Sequence, residues 1–116
     1  MKRRIVKSFV IQEDGTIVHI RGDTAMFSLK ADLDGMPIDS YSATLSVRQY
    51  PDDTAYLLQK TFDQDTPCTI NHSDTINLTY GTYWYDIQVV FTHENRQEYK
   101  TIGAFPYILK PDITTS

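Results

Sequence analysis

Cysteine is nearly absent: Cys68 is the single one in 116 residues. No internal bridge can form, so a small disulfide-stapled scaffold is excluded and a reducing cytoplasm is the expected place of folding. Long apolar runs are also missing. Nothing approaches the roughly 18 residues that a helix needs to span a bilayer, and no membrane partner is expected. Positive charge is scarce, with 11 Lys and Arg against 15 Asp and Glu and a net charge of −4. Nucleic acid therefore has no electrostatic reason to bind. Helical periodicity is lacking as well, because no window repeats its apolar residues at intervals of three and four.

The amino terminus has the basic head of a signal peptide in Met1-Lys2-Arg3-Arg4. Lys7 and Ser8 break the apolar stretch that should follow, and Gln12-Glu13-Asp14 ends it too soon. The alternation there reads as a first strand, and no signal peptide is expected. The sequons at Asn71 and Asn77 then carry no weight.

What the chain does have is aromatic mass: eight Tyr, five Phe and one Trp within a hydrophobic content of 41%. That composition suits one globular domain over residues 1–116, with a core of rings in place of disulfides. Turn signals recur at short intervals, at Asp14-Gly15, Gly22-Asp23, Asp34-Gly35, Pro51-Asp52-Asp53, Asp63 to Pro67, Gly81 and His93-Glu94-Asn95. Between them lie segments of period-two alternation, the pattern of half-buried strands. In Ser42 to Gln49, Ala43, Leu45 and Val47 share one face, with Thr44, Ser46 and Arg48 on the other. From Thr82 to Thr92 the set Tyr83, Tyr85, Ile87, Val89 and Phe91 is unbroken. Phe27 and Leu29 alternate with Ser28 and Lys30. Weaker strands are expected at 9–12, 16–21, 56–62, 69–71, 75–79, 99–104 and 107–109. In 56–62, Lys60 shares a face with Leu58, which suits an edge. Pro106 and Pro111 interrupt the last strand.

The segment Leu78-Thr79-Tyr80-Gly81-Thr82-Tyr83 is the most informative. A Leu, a Gly in a tight turn and then a Tyr-rich strand is how immunoglobulin-like sandwiches often pass between their fifth and sixth strands. Leu78, Gly81 and Tyr83 are the candidate corner, with the Tyr83 hydroxyl expected to bond back to the turn. The fold class expected is all-β, an immunoglobulin-like antiparallel β-sandwich of seven to nine strands, without the cysteine pair of antibody domains.

Chemistry is poorly represented. His19, His72 and His93 are scattered, so no metal is expected. Asp32-Leu33-Asp34-Gly35 lacks the further ligands of a calcium loop and reads as a hairpin turn. Arg21-Gly22-Asp23 spells an adhesion tripeptide and reads more simply as a turn. No nucleophile elbow or phosphate loop occurs, so no catalytic residue, cofactor or enzyme activity is assigned. The outward aromatics differ. Trp84 and Val90 oppose the Tyr83-to-Phe91 set, and Tyr50 prolongs the row of Thr44, Ser46 and Arg48. These three form the candidate interaction surface, the alternative being that Trp84 belongs to the core, with the faces inverted by a one-residue slip or the sheet covered on both sides. The same residues suggest an alternative, a carbohydrate-binding module using exposed Trp and Tyr.

Taken in order, Gly22-Asp23-Thr24-Ala25-Met26-Phe27, Ser42 to Arg48, Gly81 to Ile87, Tyr99 to Phe105 and Pro111-Asp112-Ile113-Thr114 resemble a tailed-phage structural protein. The similarity is to the amino-terminal β-sandwich domain of phage baseplate upper proteins and their short prophage relatives, over about 17–114. It implies a non-catalytic virion component, made in the host bacterial cytoplasm, that binds other phage structural proteins or itself. Longer members continue into coiled or trimeric regions. With the sequence ending at Ser116, a direct receptor-binding role is not expected.

Overall fold

The computed structural model describes residues 8–29, 32–33, 36–37 and 40–111. In chain order its strands are β1 (Phe9–Ile11), β2 (Ile17–Ile20), β3 (Ala25–Phe27), β4 (Asp32–Leu33), β5 (Met36–Pro37) and β6 (Ser40–Arg48), followed by β7 (Leu58–Asp63) and β8 (Cys68–Ile70). A short helix, α1 (His72–Thr75), precedes β9 (Gly81–His93) and β10 (Arg96–Lys110). Among the described residues the fold is all-β apart from that one turn of helix.

Two of the alternating segments became β6 and β9, inside a six-stranded sheet ordered β1-β2-β10-β9-β6-β7; the third, expected over 25–31, is a strand only in β3, with residues 30–31 outside the described residues. β6 pairs antiparallel with both β7 and β9, and β9 with β10. β10 also runs parallel to β2, which in turn pairs antiparallel with β1. Glu94 and Asn95, at φ 50° and 63°, make the two-residue turn that joins β9 to β10. Such a turn matches the strands' own twist. A separate pair, β3 and β8, forms a smaller sheet. One core cluster joins the two: Leu45, Val47, Tyr85, Ile87 and Val89 from the large sheet, Ala25, Cys68 and Ile70 from the small one. Burial of these apolar faces, at roughly 25 cal/mol per Å², is what holds the layers together.

Several expectations are corrected. Ten strands are present among the described residues, more than the seven to nine expected, because the two-residue strands β4 and β5 pair antiparallel on either side of the hairpin turn read at Asp34-Gly35. The turn residues Asp34 and Gly35, the start of the first strand at 1–7 and the Pro111–Thr114 tail beyond Pro111 lie outside the described residues. The strand expected at 75–79 is absent, and a helical turn stands at 72–75. Asp74 explains it: its carboxylate accepts the Asn71 N–H at 2.7 Å while its own N–H donates to the Asn71 carbonyl at 3.0 Å. Two helix-starting donors are thereby satisfied locally.

The pieces expected at 99–104 and 107–109 are one strand, β10, with a register shift between Gly103 and Phe105. Pro106 is tolerated inside it because β2 starts to pair only at Tyr107, leaving that side of β10 without a ladder to break. Lys60 does lie on an edge strand, yet its ammonium turns inward to Asp74 of α1 at 2.8 Å.

Tyrosine hydroxyls tie loops to this core. Tyr85 donates to the Gly15 carbonyl, fastening the β1–β2 turn, and burial pushes its phenol pKa up to about 12. Tyr107 meets Nδ1 of the fully buried His19, whose Nε2 lies 2.8 Å from the Asp23 carbonyl. A carbonyl only accepts, so Nε2 carries the proton and Nδ1 accepts from the Tyr107 hydroxyl. The ring is neutral in this arrangement, and burial lowers its pKa from 6.5. Above about pH 6.5 both folded and unfolded chains hold His19 neutral, so it adds no pH dependence. Below that value the unfolded chain gains a proton that the folded one resists, and stability falls as pH falls. Urea titrations from pH 7 to 5 should show a slope of up to about 1.4 kcal/mol per pH unit from this ring. His19→Gln should flatten it; an unchanged slope would place the dependence elsewhere.

Candidate interaction surface

The side of the large sheet away from the core carries the candidate residues. Tyr83, Tyr85, Ile87 and Val89 point inward and are buried. Trp84, Asp86, Gln88 and Val90 therefore occupy the outer face, where Trp84 and Val90 are half-buried and Gln88 is exposed. Tyr50 lies just beyond the end of β6 and is 57% exposed.

These three do not form one patch. Trp84 faces Arg48 on β6 and Pro106 on β10, at the end of the sheet where β6 leads into the Tyr50 loop. Val90 is six residues further along β9, about 20 Å away at strand rise. Between them Arg48 and Asp86 form a 2.7 Å ion pair, and Gln88 adds a polar step. Val90 instead sits opposite Ser42 and Tyr99. Tyr99, 75% exposed, is the most open large hydrophobic residue among those described.

Around Trp84 the register extends the apolar surface further than the sequence suggested. Val10 is opposite Val18, and Val18 opposite Ile108, two residues along β10 from Pro106. Each of the four is half-buried. Their inward neighbours Ile17, Tyr107 and Leu109 are in the core, so Val18 and Ile108 fall on the Trp84 side. Four strands thus contribute Val10, Val18, Ile108, Pro106 and Trp84 to one outer stripe. The parallel β2–β10 pairing that assembles it leaves no mark in local alternation. Tyr99 did leave one. A two-residue turn at Glu94 and Asn95 fixes the hairpin register, and counting outward sets Tyr99 opposite Val90.

The corner before β9 is built as follows. The Tyr83 hydroxyl donates to the Thr79 carbonyl at 2.8 Å and lies 3.1 Å from the Thr79 hydroxyl. Leu78 packs partly buried against the core, and Gly81 enters β9 at φ 147°, a conformation that side chains rarely adopt.

Arg21-Gly22-Asp23 is clamped to the same corner. The Arg21 guanidinium stacks 4.3 Å over the Tyr80 ring, and the Gly22 N–H donates to the Thr75 hydroxyl at 2.8 Å. His72 Nδ1 meets the Gly22 carbonyl, and His19 takes the Asp23 carbonyl. The tripeptide is a turn at φ 85° that anchors α1.

Two reactive groups, Cys68 and His19, are sequestered. Cys68 is fully buried, and burial raises its thiol pKa to about 12, leaving it protonated at neutral pH. His19 has both ring nitrogens engaged. Among the described residues no group of three or more His, Cys, Asp or Glu converges as a metal site. No described helix is long and apolar enough to cross a membrane. No family model, curated protein or solved structure matches the chain.

Proposed function

We propose that this chain is a non-catalytic structural module of a phage or prophage virion, in a baseplate, tail or capsid-associated position. It docks on other structural proteins, or on a second copy, through the Trp84 end of the large sheet. The carrying observation is the stripe Val10, Val18, Ile108, Pro106 and Trp84, apolar side chains from four strands on an outer face. Aromatic and aliphatic residues grouped in this way, rimmed here by Arg48 and Asp86, are what the centre of a protein contact requires.

The layout supports an immunoglobulin-like sandwich as the scaffold. β2 runs parallel to β10 at one side, β10-β9-β6-β7 continue antiparallel, β3 and β8 supply a second layer, and a tyrosine hydroxyl ties back the turn before β9. The order of segments that resembles baseplate upper proteins supports the virion assignment.

The test is Trp84→Glu, read by sedimentation of the association and by thermal melting. Association should weaken by at least about tenfold, the cost of placing a charge at a contact centre. The melting midpoint should stay within about 4 °C, as for a surface substitution. A large loss of stability with association unchanged would assign Trp84 to the fold and overturn the contact.

A further inference from the structure

The far half of the same outer face has a different chemistry from the Trp84 end. Its rows are Ser40–Thr92–Gln97, Ser42–Val90–Tyr99 and Thr44–Gln88–Thr101. Hydroxyls and amides dominate, with one open ring standing among them. Two shallow depressions share Val90. One, of 220 Å³, is lined by Gln88, Tyr99 and Thr101; the other, of 280 Å³, by Ser42, Asp63 and Gln97.

We infer that this half-face is a binding site for a neutral carbohydrate, with Tyr99 as the stacking platform. A pyranose has one face of C–H bonds and a rim of hydroxyls. The C–H face suits the negative π surface of an aromatic ring, and the rim needs fixed donors and acceptors around it. Tyr99 is 75% exposed, and its hydroxyl makes only a 3.5 Å contact with Gln97 Oε1. Asp63 is held at the rim by backbone N–H bonds from Asp65 and Thr66 to Oδ1, at 2.9 and 2.8 Å. Gln64, beside it in the second depression, gives its Oε1 to the Tyr41 N–H at 3.0 Å, which turns its amide nitrogen into the remaining donor.

Charge points the same way. The two depressions together are lined by one acid, Asp63, and one base, Lys100, so neither an anionic polymer nor a charged lipid surface is matched. A protein contact would require clustered apolar anchors, which lie at the other end of the sheet. The site does not depend on the Trp84 contact.

The experiment is a printed array of neutral oligosaccharides, followed by titration calorimetry of the best glycan with the full chain, Tyr99→Ala and Trp84→Glu. The expected result is saturable binding, weakened at least tenfold in Tyr99→Ala and unchanged in Trp84→Glu, with all melting midpoints measured alongside. Three results would overturn the site: no glycan on the array binding, binding indifferent to Tyr99→Ala, or Tyr99→Ala weakening only association between proteins.

Discussion

Replacing Tyr107 with alanine is expected to remove about 3–5 kcal/mol of stability, the range for deleting a large buried ring. Tyr107 is 1% exposed and comes first by volume among the fully buried side chains. Its ring meets Tyr85 edge-on at 6.5 Å and His19 at 5.8 Å. Domains of this size have about 5–15 kcal/mol in total, so Tyr107→Ala should be largely unfolded on mild heating. Tyr107→Phe separates the two contributions of the residue. It keeps the ring but strands the Nδ1 acceptor of buried His19, at a cost of about 1–3 kcal/mol. Urea midpoints should therefore fall in the order wild type, Tyr107→Phe, Tyr107→Ala. Equal midpoints for wild type and Tyr107→Phe would remove the hydroxyl from the account.

Leu45→Ala is expected to cost about 2–5 kcal/mol, and the neighbouring Thr44→Ala less than about 0.5 kcal/mol. Leu45 is fully buried, opposite Ile87 on β9 and Lys60 on β7. Thr44 lies on the outer face opposite Gln88 and Thr61. The contrast matters more than either value. A strand displaced by one residue exchanges its faces, so a costly Thr44→Ala beside a mild Leu45→Ala would invert the sheet.

The faces of β6 and β9 were legible because each alternates over eight or more residues, too long a run for chance or for a bent strand. The tie from Tyr83 to Thr79 was legible because a Leu, a Gly and a Tyr at fixed offsets encode a local backbone path. What escaped the sequence depends on partners far along the chain. The stripe beside Trp84 needs β2 beside β10, a pairing between residues some ninety positions apart. The unity of β10 was hidden by Pro106, since whether a proline breaks a strand depends on its neighbour's starting point. α1 was missed because its start signal, Asn71 as N-cap and Asp74 in the first turn, opens a helix too short to show periodicity. The grouping of Val90 with Trp84 failed for a simpler reason. Sharing a face says nothing about separation along the strand, and the Arg48–Asp86 pair falls in between.

The virion proposal is tested most directly by quantitative mass spectrometry of particles purified after prophage induction from a strain that encodes the chain. The account predicts this chain in the particles at a fixed ratio to the tail or head proteins, with a Trp84→Glu version left in the lysate. A chain abundant in the lysate and missing from the particles would contradict it.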